Sequence, residues 1–260
     1  MDLGLSGRTA LVAAASSGLG LAVARALAAE GAHVSIAARD PQRLAAAHRL
    51  VDEAGPGRVL AVEVDVRDDA GVTRWVDQTA EEFGALHVVV TNSPGVPHGR
   101  ADAFTVDDYR RAVEGSMLPH ISITMAALPH LRRAGWGRIL LITSEAVRQP
   151  LPGTALSATA RLGVLGFAKG VVHAVGASGI TVNVLAPGVH QTPAFDSFVA
   201  ARPAVDREAA LKEIIAEVPL GRVGQPADFG ALAAFLASEQ AGFVTGTVLL
   251  VDGGNTRGVT

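Results

Sequence analysis

Short apolar, β-branched runs alternate with longer stretches of helical periodicity along most of this chain. The runs cover residues 9–14, 33–38, 59–64, 86–91, 138–143, 181–185 and 247–251. The periodic stretches cover 19–30, 41–54, 70–83, 106–133, 154–177 and 226–238. In the first of these, Leu19, Val23, Ala26 and Leu27 recur at helical spacing. Alternating strand and helix predicts βαβ units joined by right-handed crossovers. The strands are apolar nearly throughout, as expected when helices cover both faces of a parallel sheet. The predicted fold is therefore a Rossmann-type, doubly wound α/β sheet of about seven strands.

Punctuation agrees with this pattern. Gly31 after Glu30 and Gly84 after Phe83 read as C-terminal caps. Asp40 before Pro41 reads as an N-cap with proline at the first helical position. The segment 190–220 is the least regular and is expected to form a lid or substrate segment in front of the sheet. Stretch 154–177 carries only Arg161 and Lys169 as charged residues. Leu156, Leu162, Val164, Leu165, Phe167, Val171, Val172 and Val175 cover most of its circumference. Such a helix is buried on more than one side. The sheet takes one side, and another subunit or the chain's own loops take the other.

Composition narrows the function. With 260 residues, 49% of them hydrophobic and 18% charged, the chain suits one large α/β domain spanning 1–260. A formal net charge of -3 provides no basic field for a nucleic acid. The absence of cysteine excludes disulfides, thiolate metal sites and cysteine nucleophiles. The N-terminus lacks the pattern of a signal peptide. No uninterrupted apolar run reaches the roughly 20 residues of a membrane span. A cytoplasmic protein with no membrane partner is expected.

The candidate chemistry starts at the first strand–helix junction, Ala13-Ala14-Ala15-Ser16-Ser17-Gly18-Leu19-Gly20. Glycines there let backbone approach a pyrophosphate, and the helix N-terminus adds N–H donors and a positive dipole end. The alternative is a plain tight turn. After the second strand, Ala38 stands where an acidic residue would bind ribose hydroxyls, and Arg39 follows. A guanidinium there pairs with a 2′-phosphate, which favours NADP(H) over NAD(H). Otherwise Arg39 is a solvated side chain.

These residues, with Asp65-Val66, Asn92-Ser93-Pro94-Gly95, Ile142-Thr143-Ser144, Pro187-Gly188 and Val251-Asp252-Gly253-Gly254, resemble the classical short-chain dehydrogenase/reductase family over essentially the whole length. The likeness is to the bacterial 3-oxoacyl-carrier-protein reductases, in a divergent form. It implies a cofactor set of Ala14, Ser16, Ser17, Gly18, Leu19, Gly20, Arg39, Asp65, Val66, Asn92, Pro187, Gly188 and Thr192. In that set Asp65 contacts the adenine, Asn92 supports the turn beside the ribose, and Pro187, Gly188 and Thr192 bracket the nicotinamide carboxamide.

The chain also departs from the family. Ala13-Ala14 replaces Thr-Gly, and a Cβ at position 14 costs on the order of 1 kcal/mol if the backbone needs glycine. Of the catalytic set, Ser144 matches the serine. Ser157 stands for the tyrosine, Arg161 for the lysine and Ser116 for the asparagine. A serine hydroxyl is far less acidic than a phenol, and an arginine stays charged. His190, His98 and Glu145 are alternative proton donors, although His190 also reads as an exposed loop histidine. The only tyrosine, Tyr109, begins a long helix away from this set.

Two readings follow. One is an NADP(H)-dependent oxidoreductase acting on a small or carrier-bound carbonyl or alcohol, as a homo-oligomer (dimer or tetramer). The other is a catalytically silent member acting as a binding protein or pairing with an active paralogue. Redox-neutral chemistry in the same pocket is a third, smaller alternative.

Overall fold

The computed structural model describes residues 1–200 and 207–258. Seven strands form one fully parallel sheet: β1 (Thr9–Val12), β2 (His33–Ala38), β3 (Val59–Glu63), β4 (Val88–Thr91), β5 (Gly137–Ile142), β6 (Ile180–Pro187) and β7 (Val248–Val251). Their order is β3-β2-β1-β4-β5-β6-β7. The order reverses between β1 and β4, where an open α/β sheet leaves a crevice beyond the carboxyl ends of its strands.

Helices cover both faces. On one lie α1 (Gly18–Ala29), α2 (Pro41–Asp52) and α9 (Pro226–Ala237). On the other lie α3 (Asp69–Phe83), α5 (Leu118–Ala134) and α6 (Ala155–Val175). The pleat distributes each apolar run between two cores. Val88 and Val90 of β4 enter the α1/α9 core, whereas Val89 enters the α3/α5/α6 core. Uninterrupted hydrophobicity is therefore what a strand covered on both sides requires.

The expected helix 106–133 is two helices, α4 (Val106–Ser116) and α5, with Met117 between them at φ -115°, ψ -56°. Pro119 explains the break. It has no N–H to donate to the preceding turn, so the helix restarts with the proline in its first turn, where no partner is needed. The segment 190–220 is more regular than expected. It holds α7 (Pro193–Ala200) and α8 (Arg207–Glu217), whose Phe195, Val199, Ala210 and Ile214 form a small core of their own.

Helix α6, with the turn after it, is long and apolar enough to cross a membrane by length and composition. In the fold its Val164, Ala168, Val171 and Val175 join the sheet core, while Leu162, Lys169 and His173 face outward.

Candidate active site

The glycine turn is held between β2 and β4. Ala13 N–H donates to Val90 O at 3.0 Å, and Ala15 N–H donates to Ala37 O at 3.1 Å. Held there, Ala14 has φ 49°, the only positive φ outside glycine among the described residues. The expected cost of a Cβ at this position is thus visible as left-handed backbone. Gly18 is also left-handed, at φ 58°. A Cβ on Gly20 would lie 2.6 Å from Ala14 O and 3.1 Å from Asn92 Nδ2, so only glycine lets α1 pack this close to the turn. Ser17 caps α1 without a side-chain bond, and no acidic residue occupies the first turn. Unshielded amide donors and a cradle that a Cβ would fill fit a dinucleotide phosphate.

At the other end of the turn, Arg39 is exposed after β2, with its guanidinium 4.0 Å from Asp65. Asp65 is gripped more tightly by Arg67, at 2.5 Å to Oδ2 and 3.0 Å to Oδ1. The Arg67 hydrogen bond holds the Asp65 carboxyl below its usual range, against the effect of burial. Asp65 does not reach the cleft wall, which is formed here by Ala38, Arg39, Val64 and Val66. Arg67 was not anticipated. Its only signal is its position two residues after Asp65.

A cleft of about 670 Å³ runs from this point along the carboxyl edge of the sheet. Ala14, Ser16, Ser17, Gly18, Leu19, Asn92, Pro187, Gly188 and Thr192 line it. Its two flanks meet where Thr192 approaches Gly18, at 3.5 Å from the position a Cβ would take. The Thr192 hydroxyl accepts from Phe195 N–H and starts α7. Gly188 is required by close packing, because a Cβ there would lie 2.6 Å from Asp252 Cβ and 3.0 Å from Glu145 Oε2. Asn92 Oδ1 accepts from Ser93 N–H at 3.0 Å, and its amide leans on Ala14 O at 3.5 Å.

The same cleft contains Ser144, Ser157 and Arg161. Ser144 follows β5, and its Oγ accepts from Ala146 N–H at 3.2 Å, leaving the hydroxyl proton available. Ser157 and Arg161 lie one turn apart on α6, and the Arg161 guanidinium donates to Ser157 Oγ at 2.7 Å. A second, longer contact runs from Arg161 to Pro94 O at 3.5 Å. Burial pulls the Arg161 pKa down to about 10, so the side chain remains charged at neutral pH. Ser116 donates to the same Pro94 carbonyl at 3.0 Å and sits behind the cleft wall.

The alternative proton donors divide. His190 is 4% exposed rather than an open loop residue. Its Nδ1 lies 3.1 Å from Gly188 O and its ring meets Phe229 edge-on. Burial lowers its pKa, keeping it neutral near pH 7. Glu145 is buried beside Ser144, with its pKa raised by burial and opposed by a 3.0 Å hydrogen bond from Asn255. His98 lies exposed on the rim against Phe198. Tyr109 reaches Ala101 O at 3.3 Å, outside the cleft. Sequence reasoning missed the buried pair of Thr91 and His120, joined at 2.7 Å, and the apolar wall of Leu151, Phe195, Phe198, Ile214 and Val218. Those side chains carry no local code.

Residues 13–256 match the sequence family described as enoyl-(acyl carrier protein) reductase. Oxidoreductase UcpA of Escherichia coli (strain K12) is 32% identical over 257 residues, covering 97% of this chain and 95% of that protein. Cis-4-hydroxycyclohexanecarboxylate dehydrogenase of Sinomonas cyclohexanicum is 36% identical, with 96% of each chain covered. L-sorbose reductase from Gluconobacter frateurii, solved with NADPH and L-sorbose, superposes with a TM-score of 0.94 at 28% identity over 100% of both chains. Sheet order, glycine turn and full-length matches converge on one assignment: the chain belongs to the classical short-chain dehydrogenase/reductase family.

Proposed function

We propose that the protein is an NADP(H)-dependent oxidoreductase that interconverts a carbonyl and an alcohol with an atypical proton-handling group. The observation that carries this reading is the continuity of the cleft, which joins the glycine turn at Ser16, Ser17 and Gly18 to the hydroxyls of Ser144 and Ser157. The family relationship and the NADPH complex of the sorbose reductase support a nicotinamide cofactor. Arg39, with Arg67 beside it, supports the phosphorylated form, because two guanidinium groups favour a 2′-phosphate over a bare ribose.

The bound nicotinamide would supply or accept the hydride. The Ser144 and Ser157 hydroxyls hold the substrate oxygen, and Arg161 sets positive potential where negative charge develops on it. Ser157 orients but does not act as an acid, because an aliphatic hydroxyl titrates far above a phenol. In carbonyl reduction the proton comes from water. His190 is neutral and donates Nδ1–H to Gly188 O, which leaves Nε2 an acceptor able to take up the proton released when the reaction runs as alcohol oxidation.

A catalytically silent role has one observation of its own in its favour, the strained Ala14 at the phosphate turn. Titration with NADPH and NADH separates the two. Binding at micromolar NADPH followed by turnover on a ketone panel supports the oxidoreductase, and no binding of either nucleotide at millimolar concentration overturns it. A homo-oligomer is supported by exposed apolar side chains at Leu118, Met125, Leu162 and Phe243. A monomer by light scattering would argue against it.

A further inference from the structure

Two buried arginines invite comparison. Arg138 is 3% exposed, donates to the carbonyls of Ser238 and Gly137, and stacks on Trp136 at 4.0 Å. Arg161 is 8% exposed and far less satisfied. It has one short hydrogen bond, to the neutral Ser157 hydroxyl, and a 3.5 Å contact to Pro94 O. Its Nε has no partner, and among the described residues no carboxylate pairs with it. A buried, unpaired guanidinium is costly unless a counter-charge is supplied. Arg161 lines the cleft beside Ser157, where a serine in place of the family's phenol opens a way down to the guanidinium. Leu151, Phe195, Phe198 and Val218 form an apolar wall around the same space.

We infer that Arg161 and Ser157 form a binding site for the carboxylate of a small substrate with an apolar body. The planar guanidinium suits a carboxylate in two-point contact, and the Ser157 hydroxyl adds a donor at its edge. This deepens the oxidoreductase reading by naming a substrate class and narrows it, since a carboxylate on Arg161 and Ser157 leaves Ser144 to hold the reacting oxygen. It rests on that reading only for the claim that the occupant is the substrate.

The test is calorimetric titration of the full-length protein with benzoate and with its neutral isostere benzamide, at low ionic strength. Benzoate is expected to bind at least tenfold more tightly than benzamide. Arg161→Met should abolish that preference, and Arg161→Lys should retain part of it. Ser157→Asp supplies the counter-charge internally, and should block benzoate while raising Tm, so the site is tested even if Arg161→Met fails to fold. Equal binding of the two probes by the wild type, or a benzoate preference surviving in Arg161→Met or Ser157→Asp, overturns the proposal. NADPH titrated into the same samples separates the two readings. An Arg161-dependent benzoate preference without NADPH binding keeps the anion site and removes the oxidoreductase. NADPH binding without benzoate preference does the reverse.

Discussion

Replacing Ala14 with glycine should make this protein more stable. Ala14 is held at φ 49° by the bonds that anchor its neighbours to Val90 and Ala37, so the backbone cannot relax without breaking the turn. An L-residue with a Cβ pays roughly 1–2 kcal/mol for left-handed backbone. Glycine removes that cost but adds about 0.5–1 kcal/mol of unfolded-state entropy. Ala14 is only half-buried, so little packing is lost. The net expectation is a gain of about 0.5–1 kcal/mol, or roughly 1–4 °C in Tm for a chain of this size. Urea unfolding with an unchanged m-value should move its midpoint upward by the corresponding amount. Ala14 also lines the cleft, so on the proposed function the same variant should raise NADPH affinity severalfold. A lower or unchanged midpoint would refute the claim that position 14 is strained.

The opposite change nearby should be severe. Gly20→Ala forces a Cβ to within 2.6 Å of Ala14 O, and should cost about 1–3 kcal/mol by overpacking and weaken NADPH binding, read by urea unfolding and titration. Arg39→Ser should reduce the preference for NADPH over NADH by roughly 10- to 100-fold, the worth of a charge-assisted contact; an unchanged ratio of affinities would remove Arg39 from the 2′-phosphate. Ser157→Tyr combined with Arg161→Lys introduces a phenol as a titratable acid, and should raise ketone turnover by roughly 10²–10⁴-fold if the proposed function holds; no gain means a remodelled pocket. His120 is fully buried, and its pKa falls to about 3 because burial disfavours the charged ring. Since the unfolded chain binds this proton more readily, the contribution to stability is complete above pH 6.5 and is lost as pH falls toward the folded value. Two units below 6.5 the loss is about 2–3 kcal/mol. His120→Gln should flatten that part of the pH profile, measured as urea midpoint from pH 7 to pH 4.5.

The strands were legible because residues buried on both faces must be apolar, and the glycine turn because it interrupts that pattern at the first junction. Gly18 and Gly20 could be read as close-approach positions, and the backbone at Ala14 bears out the strain expected there. The break at Met117 was written in Pro119 but outweighed by periodicity on either side. Contacts between distant residues had no local signature. Asn255 reaches Glu145 across 110 positions, and His120 meets Thr91 only because α5 packs behind β4. His190 resembled a loop residue because its burial depends on Phe229 and Gly224, both far along the chain.

Helices α7 and α8 have a consequence for how the family can diversify. Phe195, Val199, Ala210 and Ile214 pack on one another rather than into either main core, with Val189 and Val223 completing the cluster. Phe195, Phe198 and Ile214 nevertheless form much of the cleft's apolar wall. A segment with its own interior can be exchanged between relatives with little disturbance to the sheet. Chimeras exchanging 193–219 should therefore inherit the donor's preferences for the body of the ligand while retaining the recipient's preference between nucleotides.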